Sequence, residues 1–301
     1  MKVLNFGSLN IDRVYTLPAI VRPGETTTST GYSEYCGGKG LNQSVALARA
    51  GANVHHAGKV GPDGVFLREY LERAGVDISR VAIADGVPTG HAIIQVDDQG
   101  ENAIVLFGGA NQAITPHDAT HALKDFQPGD FLLLQNEISS LPEILQYAGD
   151  RELTIVFNPA PMTPEVLNYP LDGVKYFIVN EIEGQCITGE KTPESIVSKF
   201  IEKFPSAGVV LTMGKKGVYF LSQSESLYMP GERVDAMDTT GAGDTFTGYF
   251  IASIIEGKPM EDCLKTSNTA SALCVTRAGA AESIPYKEEV LDTMRNENNG
   301  N

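Results

Sequence analysis

The chain is poor in the features that would place it in several large protein classes. It carries four cysteines, Cys36, Cys186, Cys263 and Cys274, in 301 residues, and none of them has the paired spacing of metal ligands. Thiols so few and so scattered make neither a disulfide framework nor a zinc site, and they read as reduced, mostly buried, small side chains. No stretch approaches the roughly 20 apolar residues that a membrane helix needs. The start, Met1-Lys2-Val3-Leu4, enters an apolar strand at once, without the regions of a secretory signal. A cytoplasmic chain with no membrane partner is therefore expected. Positive charge is also scarce, with 23 Lys and Arg against 38 Asp and Glu and a formal net charge of −15. Such a field repels polyanions, so no nucleic-acid partner is expected, and a nucleotide would need locally concentrated donors.

Two phosphate-binding signatures are missing as well. Gly38-Lys39 is followed by Gly40, which rules out a P-loop, and Gly241 and Gly243 are followed by Phe246 where a dinucleotide fingerprint needs its third glycine. What the chain does have is alternation. Short apolar runs at 3–6, 131–134, 154–157, 176–179 and 209–211 are interleaved with helical patterns at 42–50, 66–74, 142–149, 194–204, 242–255 and 260–276. This predicts an α/β fold with a mostly parallel central sheet, helices on both faces and one large core. Phe246, Phe250 and Ile254 keep a four-residue spacing that lays an apolar stripe on that core. Two segments break the rhythm, one near 13–36 rich in Thr and Ser, the other at 90–107, where Asp97-Asp98-Gln99-Gly100 separates two alternating strands as in a hairpin. Together they predict a small antiparallel β lid beside the carboxyl edge of the sheet. His117 and His121 have the spacing of a zinc pair, but they follow Thr115-Pro116 in a helix start without an acidic partner and read as surface residues. The polar tail 296–301 reads as frayed.

The sharpest local signal is Asp238-Thr239-Thr240-Gly241-Ala242-Gly243-Asp244, three small residues placed just before a long amphipathic helix. Backbone N–H groups at a helix amino terminus form an anion site, and small side chains let a phosphate reach them. Asp244 at that mouth can accept a proton from an attacking hydroxyl as phosphate arrives. An acidic helix-start residue after a Gly-rich turn is the alternative. A second Gly-rich element, Gly37-Gly38-Lys39-Gly40-Leu41-Asn42-Gln43, also opens a helix. With Asn10 and Asp12 just past the first strand, Lys39 and Asn42 supply donors and acceptors suited to vicinal hydroxyls. A tight turn with an Asx-type loop is the alternative here.

The order and separation of these elements resemble the ribokinase family, also called the PfkB carbohydrate kinases, over roughly residues 3–286. Gly37 to Asn42 is similar to the first family signature and Asp238 to Thr245 to the second. The resemblance implies a three-layer fold of that family and ATP-dependent phosphorylation of a small sugar at a primary hydroxyl, D-ribose to D-ribose 5-phosphate first. A kinase for deoxyribose, fructose or a nucleoside, or a non-catalytic sugar-binding protein on the same fold, remains the alternative. By resemblance, Asn10, Asp12, Gly38, Lys39, Asn42 and Glu137 hold the sugar, while Asp244 with Gly241, Ala242 and Gly243 performs the transfer. Asn180, Thr212, Gly214, Gly217, Gly243 and Asn268 are implied for ATP, although Asn180-Glu181 alone reads as a helix start. Glu183 is implied for Mg²⁺ through water. Asp238, Thr240, Cys274, Arg277, Gly279 and Ser283 are implied for a monovalent cation, K⁺. The resemblance also implies a homodimer paired through the lid.

Overall fold

The computed structural model describes residues 1–299. In chain order the elements are β1 (Val3–Phe6), β2 (Asn10–Thr16), β3 (Gly31–Gly37), α1 (Lys39–Arg49), β4 (Val54–Val60), α2 (Val65–Arg73), β5 (Asp77–Ile83), β6 (Gly90–Val96) and β7 (Asn102–Phe107). They continue with α3 (Pro116–Leu123), β8 (Phe131–Gln135), α4 (Leu141–Asp150), β9 (Thr154–Asn158), β10 (Val174–Asn180), α5 (Glu181–Thr188), α6 (Pro193–Lys203) and β11 (Gly208–Thr212). The chain closes with β12 (Val218–Leu221), β13 (Ser226–Met229), α7 (Ala242–Ile255), α8 (Met260–Val275) and α9 (Lys287–Asn299). The tail expected to fray at 296–301 therefore begins inside α9, and residues 300 and 301 lie outside the described residues.

A nine-stranded sheet runs in the order β13-β12-β11-β10-β9-β8-β1-β4-β5, parallel throughout except at its β11-β12-β13 end. Strands buried on both faces must be apolar at every position, and β8 shows how the two faces are divided. Phe131 and Leu133 pack with Val3, Val156, Ile178 and Val210 under α1 and α7, while Leu132 and Leu134 pack with Leu4, Ile155, Phe177 and Val209 on the opposite face. The α/β architecture expected from alternation is the observed one. Among the described residues no helix is long and apolar enough to cross a membrane.

The two segments that broke the βα rhythm form a separate four-stranded sheet in the order β3-β2-β6-β7. Its flanking pairs β2-β3 and β6-β7 are antiparallel, and the central pair β2-β6 is parallel. β2 begins a few residues after β1 ends, so this sheet stands at the carboxyl edge of the large one. β7 is exposed along most of its length.

α7 is buried from Asp244 to Ser253, well beyond the single stripe of Phe246, Phe250 and Ile254, because it lies between α1, α8 and the sheet. Phe250 meets Tyr176 of β10 edge to face at 5.7 Å between ring centroids. A Cβ on Gly248 would stand 2.4 Å from the Ala46 Cβ of α1, so glycine here permits a close helix crossing. Alanine normally stabilises a helix over glycine by about 0.5–1 kcal/mol, and Gly149→Ala in the last turn of α4, where a Cβ meets nothing within 4 Å, should follow that rule. Gly248→Ala should reverse the sign and destabilise by about 1–3 kcal/mol through overpacking. Urea unfolding of both variants checks this, and two stabilising substitutions would sink the packing account.

Candidate active site

Four neighbouring strands of the large sheet end in polar residues at one edge. Gln135 of β8 is in register with Asn158 of β9, and Asn180 of β10 with Thr212 of β11. Strand succession also reverses between β1 and β8, since β4 and β5 follow on one side and β9 to β11 on the other. The carboxyl ends beside such a reversal form the crevice in which open α/β sheets bind ligands.

The amino termini of α1 and α7 also face this edge. Capping boxes built on Thr115, Asn180 and Thr192 close α3, α5 and α6. Among the described residues no side chain caps α1 or α7, which start at Gly38 (φ 95°) and Gly241 (φ 77°), both in the left-handed half of backbone space that glycine tolerates. A Cβ on Gly40 would stand 2.4 Å from the Ser8 N, so the first turn of α1 lies directly on the β1–β2 connection. At α7 the Ala242 N–H turns back to the Thr239 carbonyl at 3.3 Å. The N–H groups of Gly243 and Asp244 have no acceptor within the helix, and a Cβ on Gly243 would meet nothing within 4 Å. Open space above free first-turn N–H groups suits an anion.

Asp244 is buried at the same turn, 7% exposed, and both its oxygens are held from α1. Asn42 Nδ2 donates to Oδ2 at 3.0 Å and Gln43 Nε2 to Oδ1 at 2.8 Å. The Asp244 carboxylate also holds the Lys39 ammonium above its ordinary pKa, with burial opposing and Glu137 and Glu183 adding. Glu137, from the loop after β8, accepts from Ser8 Oγ and from the Lys39 N–H at 3.1 Å. Burial raises its carboxyl against the lowering effect of Lys39. Beside it, burial first, then the charges of Glu137 and Glu282, push Asp12 up to about 7. Asn10 is pinned by Asn111, whose Nδ2 donates to Asn10 Oδ1 at 2.8 Å and whose Oδ1 accepts from the Leu9 N–H at 3.0 Å. Lys39, Asn42, Glu137 and Asp244 are thus joined by hydrogen bonds and charge, and Asn10 and Asp12 of β2 stand against the Gly37-Gly38 turn that opens α1.

From Asp244 and Lys39 an open cleft of about 480 Å³ runs past Asn180, Glu183, Thr212 and Gly214, with Gly241 and Gly243 on its other wall. Comparison with known proteins fits this plan. The model of the pfkB family carbohydrate kinases matches residues 1–287. The chain belongs to that family. Ribokinase of Staphylococcus aureus (strain COL) is 35% identical to it over 300 residues, covering 96% of this chain and 98% of its own. Among solved structures, ribokinase from Cryptococcus neoformans var. grubii in complex with ADP superimposes with a TM-score of 0.85 at 37% identity, covering 97% of this chain and 99% of its own. Arabidopsis thaliana ribokinase complexed with ribose and ATP gives 0.84 at 28% identity, with 97% of each chain covered.

The remaining expected residues of this pfkB-family chain occupy two further places. Asn180 and Glu183 form the capping box of α5, in which Asn180 Oδ1 accepts from the Glu183 N–H at 2.9 Å and Glu183 Oε2 from the Asn180 N–H at 3.0 Å. The helix-start reading of Asn180-Glu181 holds, and Asn180 and Glu183 also line the cleft. Gly217 is explained by packing, since a Cβ there would stand 2.0 Å from the Met229 carbonyl at the end of the β12-β13 pair away from its turn. Asn268 Nδ2 on α8 donates to the Pro230 carbonyl at 2.8 Å. Behind the 238–244 segment, Asp238 stitches two loops, accepting from the Thr240 N–H at 2.9 Å and the Gly279 N–H at 3.0 Å. Cys274 and Ser283 meet at 3.1 Å between Sγ and Oγ, and the Arg277 side chain turns away to Glu289 of α9.

Sequence reading missed Ser8, Gln43, Asn111, Gln135 and Asn158. Polar residues at the ends of apolar strands were a visible signal for Gln135 and Asn158, whereas Asn111 lies in a connection without pattern. The position of Asp12 yields a test. With a native value of about 7 against an ordinary 3.8, the folded state binds the extra proton, so this stability is present below about 4 and is lost as pH rises towards 7. Glu137→Gln should lower the Asp12 midpoint, followed by ¹³C NMR of the labelled carboxyl, and Asp12→Asn should flatten that limb of the stability profile. An Asp12 midpoint near 4 in the parent would overturn the electrostatic picture.

Proposed function

We propose that the chain transfers the γ-phosphoryl group of ATP to the O5 hydroxyl of D-ribose, giving D-ribose 5-phosphate and ADP. The observation that carries this reading is the Asp244 carboxylate, held by two amides of α1 at the point where the uncapped first turn of α7 opens into the cleft. Asn10, Asp12, Gly38, Lys39, Asn42 and Glu137 hold the sugar hydroxyls. Asn42 Oδ1 is buried without a partner among the described residues, and a bound hydroxyl would satisfy it. Asp244 takes the O5 proton as the new O5–P bond forms and the bond to the ADP oxygen breaks. The N–H groups of Gly243 and Asp244, in the small-residue turn of Gly241 and Ala242, meet the charge developing on the transferring phosphoryl group.

ATP lies along the cleft past Asn180, Thr212 and Gly214, with Gly217 shaping the turn below and Asn268 at the adenine end. Mg²⁺ would neutralise charge on the phosphates, and Glu183, a carboxylate on the cleft wall, suits an ion that keeps its waters. A monovalent cation, K⁺, suits the oxygen-rich seam formed by Asp238, the Thr240 and Cys274 carbonyls, Gly279, Ser283 and the backbone of Arg277. Holding that seam would fix the loop that leads into α7.

The small sheet, 13–36 with 90–107, acts as a lid over the sugar, and a second copy of the chain covers its outer surface. Neighbouring side chains on a strand point to opposite faces, yet Val105 and Leu106 of β7 are 63% and 55% exposed, with Tyr32 of β3 at 53%. Free thiols at all four cysteines suit the reducing cytoplasm.

Coupled ADP release with ribose, deoxyribose, fructose and a nucleoside, with and without K⁺, tests the substrate, and ribose should give the highest kcat/KM. Asp244→Asn should lose about 10²–10⁴-fold in kcat while ribose still binds, and near-normal turnover would remove Asp244 from the role. Leu106→Asp should give a monomer by light scattering, and a dimer that survives it would place the interface elsewhere.

A further inference from the structure

Beneath Asp244 runs a chain of carboxamides that takes no part in the transfer as described above. Gln43 is 0% exposed, Gln135 1% and Asn5 0%. Gln135 Nε2 donates to Asn5 Oδ1 at 2.9 Å and to Gln43 Oε1 at 2.7 Å. Gln43 Nε2 then donates to Asp244 Oδ1 at 2.8 Å and to Asn158 Oδ1 at 3.0 Å. Asn5 Nδ2 anchors the far end on the Gly40 carbonyl at 2.7 Å and on Ser44 Oγ at 2.8 Å. Asn158 is fixed in turn by donating from Nδ2 to the Ile178 carbonyl at 2.9 Å.

The direction of these bonds matters. A carboxamide has one acceptor end and one donor end, and turning it over exchanges them. Gln135 presents its donors to Gln43 Oε1, so the acceptor end of Gln43 is occupied and only its NH₂ remains for Asp244. Turned over, Gln43 would set a carbonyl oxygen against the Asp244 carboxylate and lose the bond from Gln135. In a dry core that arrangement is heavily penalised. One oxygen of Asp244 is thereby tied to β8 and β1 through Gln43, independently of the Asn42 bond to the other.

We propose that Gln43, oriented by Gln135, is a positioning residue that sets the in-plane direction of the Asp244 carboxylate for its attack geometry. It does so without touching the sugar or ATP, and the inference rests on Asp244 being the proton acceptor. Small displacements of a reacting group can lower turnover by about 10²-fold while ground-state binding persists. A residue that merely fills the core would instead change the unfolding midpoint and leave turnover alone.

Gln43→Met keeps the length and removes the donors, and Gln43→Glu keeps the shape and reverses the polarity towards Asp244. Both should lower kcat by about 10–100-fold with the ribose KM within about twofold of the parent, and Gln135→Met should lower kcat in the same sense by less. In ¹⁵N-labelled parent protein, one Gln43 side-chain amide proton should lie downfield and move upfield in Asp244→Asn, which provides a readout even if a Gln43 variant fails to fold. Normal kcat in folded Gln43→Met and Gln43→Glu alongside a disabled Asp244→Asn would overturn this inference alone. A fully active Asp244→Asn would overturn both it and the reading of Asp244 as the base. Gln43 amide protons indifferent to Asp244→Asn would show that the bond does not carry the effect and would also overturn the proposal.

Discussion

The close approach of α1 and α7 is the constraint on which the site depends. Gly248 lets α7 lie against Ala46 of α1. One helical turn earlier on each helix stand Asp244 and Asn42, which meet through a 3.0 Å hydrogen bond. The packing contact and the chemical contact are therefore the same interface sampled four residues apart, because side chains at i and i+4 share a helix face. A Cβ in the packing contact pushes the helices apart and moves the Asp244 carboxylate with them. Gly40 acts similarly just before Asn42, holding the first turn of α1 on the connection from β1 to β2. Small residues here set distances between backbones, and the distances set the chemistry.

Electrostatics follow from that placement. In a chain with a formal charge of −15, Lys39 and the amino termini of α1 and α7, left without side-chain caps, supply positive potential at the cleft. Lys39 stands among Asp244, Glu137 and Glu183, and their charges outweigh the burial that would otherwise favour its neutral form. Asp12 reaches a value near neutrality mainly through burial, with the charges of Glu137 and Glu282 adding to it. Such clustering of like charges is unfavourable for the empty protein and suits a ligand that brings hydroxyl donors and a metal-bound polyphosphate.

Polar groups in the core add a second kind of order. Asn5, Gln43, Ser44, His56 and Gln135 are all fully or almost fully buried between sheet and helices. Burial holds His56 neutral, with its pKa lowered to about 4, so its ring accepts or donates as an uncharged partner of Ser44. Apolar residues of the same volume would fill the space but leave Oδ1 of Asp244 without its bond from Gln43. A network in which each amide fixes the next gives direction instead, which hydrophobic packing cannot supply.

The α/β architecture, the helix at 242–255, the hairpin at 90–107 and the Gly-rich helix starts were legible in the sequence because each follows from local periodicity or from a residue's own backbone freedom. The continuous apolar runs of β8 and its neighbours required a sheet covered on both sides. Asp244 and Lys39 could be singled out as chemically apt, but each alone was equally compatible with a capped helix or a plain turn. Only the tertiary structure showed what surrounds them. It brought Asn42 and Gln43 onto a carboxylate some two hundred positions away, placed Asn111 against Asn10, and gave Gly217 and Gly248 steric reasons. The physical ground is that periodicity and propensity act over a few residues, whereas the pairing of hydrogen-bond donors with acceptors depends on which surfaces the folded chain forces into contact.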